Sequence, residues 1–328
     1  MRVCFVDIGH WHSHYYYEGA ASAGIEIAAV SDRKQQVAER VAGELGCKGY
    51  GDYETMVERE KPDFVFALGR HCDMAATARY LIDRKIPFGM EKPMGLTSAE
   101  VEPLAEQARR QNAFVAVPLT FRQTPWVHKV LELERPQLDF SSVCLRFTTG
   151  PVSRYFKAGC EWILTKQEAG GGCALNLGIH LTDLFTYLTH KTPKRLWATI
   201  NSRANGVEVE DFSSIIMEAE DGTSGRVENG YTIPGGTKGM GLECVLRGRQ
   251  GYYDVREQEM LWIDIDGRHE HVPGPTNQTY FYTQFVKHCL DALRDGRPPI
   301  ADIHDNLAAF KVVEAAYKSA ATKQVVEL

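Results

Sequence analysis

Val3-Cys4-Phe5-Val6-Asp7-Ile8-Gly9-His10-Trp11-His12 opens the chain with an apolar run, a turn around a glycine and the start of a helical pattern. A strand that feeds a helix through a tight turn is where backbone N–H groups and a helix N-terminus can hold a dinucleotide pyrophosphate. Against the glycine pattern G-x-G-x-x-G only Gly9 is present, because Asp7 and His12 take the outer positions. Gly9 is the glycine that lets the backbone come close to the pyrophosphate. Ile8, Gly9, His10 and Trp11 are therefore candidate cofactor contacts.

Outward from this turn, short apolar runs alternate with helical patterns. The runs are Val3 to Ile8, Ile25 to Ser31, Lys48 to Tyr50, Asp63 to Leu68, Ile86 to Glu91 and Ala113 to Pro118. That alternation predicts a doubly wound parallel sheet covered by helices on both faces. Val37, Val41 and Leu45 have helical spacing, and Gly46 follows where a helix should stop. Thr97-Ser98-Ala99-Glu100 reads as a capping box, with Pro103 a potential kink in the helix behind it. After Pro125 strand-like runs succeed one another: Ser213 to Ala219, Arg226 to Ile233, Leu242 to Arg247 and Leu261 to Ile265, with Asp221-Gly222 as a turn. Two helical patterns, Tyr280 to Arg294 and Ile303 to Ala321, close the chain. The expected architecture is α/β, with a Rossmann domain over 1–122 and an α+β domain over 123–328 built on a large, mainly antiparallel open sheet. The last helix is free to pack back on the first domain.

A chain of 328 residues can bury two cores without cross-links. Its net charge of −6 argues against a nucleic-acid partner, since a duplex binder needs a basic face. Apolar stretches stay below the roughly 18 residues needed to cross a bilayer, and the first residues enter a strand at once, so a cytoplasmic location is expected. The eight cysteines are scattered without a C-x-x-C pair, a distribution expected of reduced, mostly buried thiols.

Asp32 lies at the end of the second run, 23 residues beyond Gly9, where a carboxylate would accept hydrogen bonds from the adenine ribose hydroxyls. This favours NAD; Arg33 beside it could receive a 2′-phosphate and keeps NADP open, and Asp32 could equally cap a helix. His10, His12 and His14 alternate, but a chain turning into a helix scatters such rings, so no metal is expected. Lys92 follows the fifth run directly, at the carboxyl edge where open α/β sheets gather ligands. Farther on, Gly170-Gly171-Gly172 leads into a helix with Asn176, His180 and Asp183 on one face, which reads as the wall of a site.

Glu91-Lys92-Pro93 and the Gly170 to Asp183 segment resemble the two signatures of the Gfo/Idh/MocA oxidoreductase family. Phe121-Arg122 with Pro125, and Val313-Glu314-Ala315-Ala316-Tyr317-Lys318-Ser319, resemble its aromatic-arginine turn and last helix. The resemblance implies a nicotinamide cofactor, a sugar, cyclitol or other polyol as substrate, and a homodimer or homotetramer. It makes Lys92 the residue that orients substrate beside the nicotinamide and His180 the acid/base group. Asn176 stands where the family often has Asp; an amide can hydrogen-bond but does not ionise. Leu68, Gly69 and His71 replace the family's P-N-x-x-H segment and, with Glu91 and Lys92, complete the expected cofactor contacts. Arg122, Arg154, Trp162, Asn176 and Asp183 join Lys92 as expected substrate contacts. The expected activity is hydride transfer to or from a CH–OH carbon; an NAD-dependent sensor, and bond cleavage through a transient oxidation, are the alternatives.

Overall fold

Residues 1–135, 138–234, 240–256, 259–274 and 277–328 are described by a computed structural model. Six short strands, β1 (Val3–Val6), β2 (Ile27–Ser31), β3 (Lys48–Tyr50), β4 (Phe64–Ala67), β5 (Phe88–Met90) and β6 (Val115–Ala116), form one parallel sheet in the order β3-β2-β1-β4-β5-β6. Every side chain of β1 is fully buried, because helices cover both faces of the sheet. These helices are α1 (Ser13–Ser22), α2 (Gln35–Leu45), α3 (Tyr53–Glu60), α4 (His71–Asp83) and α5 (Ser98–Gln111). Gly46 closes α2 in the left-handed region at φ 66°, as its position predicts. The capping box expected at Thr97 does not form. Glu100 instead accepts from the Leu96 amide, and the Ser98 amide and hydroxyl both donate to Glu314, near the end of the chain. That tertiary tie offers Ser98 a charged acceptor, which outcompetes the local cap. The helix continues through Pro103.

The second sheet has nine strands: β7 (Phe140–Thr149), β8 (Pro193–Asn201), β9 (Phe212–Ala219), β10 (Ser224–Gly230), β11 (Met240–Gly248), β12 (Gly251–Arg256), β13 (Glu259–Asp264), β14 (His269–Pro273) and β15 (Val326–Glu327). Their order is β14-β13-β12-β11-β7-β10-β9-β8-β15, antiparallel throughout except where β7 and β10 run together. Along β7, Val143, Leu145 and Phe147 face the core while Cys144 and Arg146 are exposed, the alternation of a sheet packed on one face. Against that face lie α6 (Pro125–Glu134) and, beyond the short helices α7 (Ser153–Lys157) and α8 (Lys166–Ala169), helix α9 (Ile179–Thr189).

Two helices from the far side of the expected 122/123 boundary return to the first sheet. From α10 (Gln278–Arg294), Tyr282, Phe285, Val286 and Leu290 pack with Phe5, Tyr16 and Phe66. From α11 (Ile303–Thr322), Phe310 and Val313 join Val101 and Leu104, while Val312, Ala315 and Ala316 face the second core. All eight cysteines are free thiols, and five are buried.

The glycine-rich entry to α9 is dictated by packing. A Cβ on Gly172 would stand 2.1 Å from the Glu210 carbonyl oxygen, and the next amide, Cys173, donates to that same oxygen at 3.0 Å. Gly172→Ala should cost at least the ~1–3 kcal/mol typical of overpacking and lower the thermal midpoint, measured by calorimetry. An unchanged midpoint would show that this contact yields freely.

Candidate active site

The strand order reverses between β1 and β4, so the turns after β1, β4 and β5 open on one crevice. The first of these turns keeps its shape without the outer glycines. Asp7 occupies the left-handed region at φ 54°, which a short polar side chain tolerates. Its buried carboxyl is pushed up to about 6 by burial, with Arg33 opposing and Asp32 adding to the rise. The Gly9 amide donates to Asp32 Oδ2 at 2.7 Å, and the Lys34 amide to Oδ1 at 2.8 Å. Asp32 thus fastens the turn to the end of β2, whereas Lys34 holds the cap position of α2. A Cβ on Gly9 would sit 2.8 Å from Asp32 Oδ2, so the close approach needs glycine.

Arg33 reaches Asp73 at 2.9 Å and Asp7 at 4.0 Å, its side chain half exposed. Leu68 is buried and Gly69 lies at φ 58°. His71 has its Nδ1 2.8 Å from the Ala169 carbonyl, an acceptor, so Nδ1 carries the proton. Its Nε2 is then a buried acceptor without a partner. A ribose hydroxyl or a carboxamide N–H of a dinucleotide in the crevice is a fitting donor. Trp162, expected among the substrate contacts, lies over this region: its ring centroid is 5.2 Å from His71 and 5.6 Å from Trp11.

Below the crevice a cavity of about 1160 Å³ is lined by Lys92, Asn176, His180, Trp11, His12 and Arg154, among others. The Lys92 ammonium donates to the Asn176 carbonyl at 2.8 Å and to its side-chain Oδ1. Burial lowers its pKa to about 8, with Glu91 opposing the shift. The Asn176 amide donates to the hydroxyls of Tyr155 and Tyr231, each at 2.9 Å, so its oxygen must face Lys92. Asn176 belongs to a π-helical turn, 174–178, that runs into α9. One turn later His180 meets the Phe121 ring at 5.5 Å. Burial, and then the Lys92 ammonium, hold the His180 imidazole well below its usual pKa, and its Nδ1 is enclosed without a partner. The ring is therefore neutral, with one nitrogen free of a proton.

Two expected substrate contacts are corrected. Arg122 and Asp183 do not line the cavity; they bind one another in a two-pronged ion pair, with Nε 2.9 Å from Oδ2. Arg122 also reaches Asp305 at 3.0 Å and the Ile300 carbonyl at 2.8 Å. The helical spacing that places Asp183 near His180 is right, but an enclosed guanidinium claims the carboxylate. Arg154 does line the cavity, anchored on the Gly150 carbonyl and the hydroxyls of Thr149 and Tyr155. The histidine triplet also differs from expectation. Only His14 is carried away, whereas His10 and His12 converge on Glu91 with ligand-capable atoms within 4.8 Å of one another. Tyr155, Tyr231, Tyr16 and Tyr282, which hold this centre, carry no signal in the sequence, because each comes from a segment distant from its partner.

Residues 1–119 match the model of an oxidoreductase family with an NAD-binding Rossmann fold, and residues 143–254 match the GFO/IDH/MocA C-terminal domain. The rhizopine catabolism protein MocA of Rhizobium meliloti is 25% identical over 325 residues, covering 96% of this chain and 94% of that protein. The D-xylose 1-dehydrogenase (NADP(+)) 2 of Haloferax volcanii is 25% identical, with 92% of each chain covered. Among solved structures, levoglucosan dehydrogenase in complex with NADH and L-sorbose superimposes with a TM-score of 0.88 at 14% identity, over 100% of this chain and 98% of that one.

Arg122→Met should leave the Asp183 carboxylate buried and unpaired, at a cost of about 3–5 kcal/mol. The expected result is a lower thermal midpoint with unchanged NADH affinity. A variant of normal stability and raised KM would return Arg122 to the substrate.

Proposed function

The chain belongs to the Gfo/Idh/MocA family of NAD-binding oxidoreductases, and from that premise we propose that it oxidises a hydroxyl of a sugar, cyclitol or related polyol, or reduces the corresponding ketone or lactone. The observation that carries this reading is the meeting of Lys92 and neutral His180, one from each domain, on one cavity beside the crevice. NAD, when bound, supplies the nicotinamide carbon that accepts the hydride. His180 takes the hydroxyl proton as the carbon–oxygen double bond forms, and the Lys92 ammonium stabilises the negative charge that develops on oxygen. Asn176 positions Lys92 through its carbonyl and amide oxygens and takes no part in proton transfer. A relative that acts on D-xylose supports a polyhydroxylated substrate.

Removing a positioned acid/base group typically costs ~10²- to 10⁴-fold in rate. Lys92→Met and His180→Ala should each lower kcat within that range on the best substrate of a sugar and cyclitol panel, with NAD affinity nearly unchanged. Near-normal turnover in both variants would remove the assignment. Because only the ammonium form of Lys92 stabilises the oxyanion, its contribution should fade as pH rises through about 8. A wild-type kcat/KM profile with that limb, flattened in Lys92→Met, is the check.

We also propose that NAD is preferred to NADP. Asp32 would accept ribose hydroxyls and repel a 2′-phosphate, and Arg33 is engaged by Asp73 and Asp7. Asp32→Ser should narrow the ratio of NADPH to NADH dissociation constants, read by fluorescence titration. A wild-type preference for NADPH would make Arg33 the deciding residue.

A further inference from the structure

His12 stands where the glycine pattern has its third glycine, yet its ring is built into the cavity wall. Its Nδ1 lies 2.9 Å from Oε1 of Glu91, a carboxylate that is fully enclosed. The Tyr16 hydroxyl donates to the same oxygen at 3.1 Å. The Tyr282 hydroxyl lies 2.5 Å from His12 Nδ1. Burial opposes charge on Glu91, but His12, the hydrogen bond from that ring, His10 and the Lys92 ammonium hold its carboxyl well below the usual range. An ionised carboxylate only accepts, so the imidazole must present Nδ1–H to it. Nε2 is left as a bare lone pair. It has no hydrogen-bond partner among the described residues, and the His12 ring lines the cavity. Burial keeps the ring neutral, so the lone pair persists.

We propose that His12, oriented by Glu91, reads the substrate: its Nε2 accepts a hydrogen bond from a second hydroxyl of the polyol whose first hydroxyl meets Lys92 and His180. This rests on the polyol reading above and narrows it to a diol presented to two imidazoles. The spacing of His10, His12 and Glu91 would also suit a metal ion. Against that, His10 Nδ1 already accepts from the His12 amide at 3.1 Å, His12 Nδ1 is committed to the carboxylate, and the Lys92 ammonium stands close enough to act on both rings. A proton held between imidazole and carboxylate satisfies this set of groups without a metal.

The test uses the NAD-loaded enzyme and the panel polyol of highest turnover, compared with analogues that each lack one hydroxyl. One hydroxyl other than the oxidised one should prove critical, its loss lowering kcat/KM about 10- to 100-fold, the range for leaving a polar group unpaired. In His12→Phe that penalty should vanish, whereas His12→Gln, whose amide can still donate to Glu91 and accept from the hydroxyl, should retain part of it. A penalty that persists undiminished in His12→Phe overturns the proposal. A second measurement is independent of turnover. In 15N-histidine NMR of the NADH complex, the signal lost in His12→Gln should show protonated Nδ1 and bare Nε2, and Nε2 should shift when myo-inositol is added. A protonated Nε2, or one zinc per chain that His12→Gln removes, overturns it as well. Absence of wild-type turnover on every polyol would count against the proposed function instead, and the NMR result would then decide the role of His12 by itself.

Discussion

The bond from the Lys92 ammonium to Asn176 joins the end of β5 to the π-helical turn before α9, and the rest of the site depends on it. An ammonium this deeply buried is costly unless oxygen acceptors replace its water. Asn176 supplies two, its own carbonyl and its side-chain oxygen. The amide can offer that oxygen only because Tyr155 and Tyr231 take its N–H groups. Irregular helical turns of this kind recur at functional sites, where a carbonyl is wanted outside the regular ladder. Here the turn sets both the lysine and, four residues on, His180.

One buried cation then organises the charges around it. Glu91, its neighbour in sequence, stays ionised in a fully enclosed position because donors surround it. The imidazoles of His10, His12, His71 and His180 stay neutral, since a second buried cation beside Lys92 would be repelled as well as desolvated. The result is a cavity wall with a cationic donor and neutral acceptors, suited to hydroxyl groups in a polyol.

The Arg122–Asp183 pair serves another purpose. It lies behind α9 and ties that helix to the turn at 120–123 and, through Asp305, to α11. Since α11 also packs on α5, and α10 on α1, the last two long helices brace the helices of the first sheet.

Local chemistry made much of this protein legible from its residues. The alternation of apolar runs and helical spacing marks the parallel sheet, and turn signals between β-like runs mark the second one. Glu91-Lys92-Pro93 and the Gly170 to Asp183 segment mark Lys92, Asn176 and His180 as candidates, because strand ends and helical faces are properties of short stretches of chain. Partnership across the fold was not legible. Whether Asp183 faces substrate or Arg122, whether Ser98 caps its own helix or bonds Glu314, and whether His12 scatters or meets Glu91 are contests between local and distant partners. Tyr282 lies 270 residues from the imidazole it approaches. Such contests are settled by which buried charge most needs an acceptor or donor, and only the packed tertiary structure brings the competitors within reach.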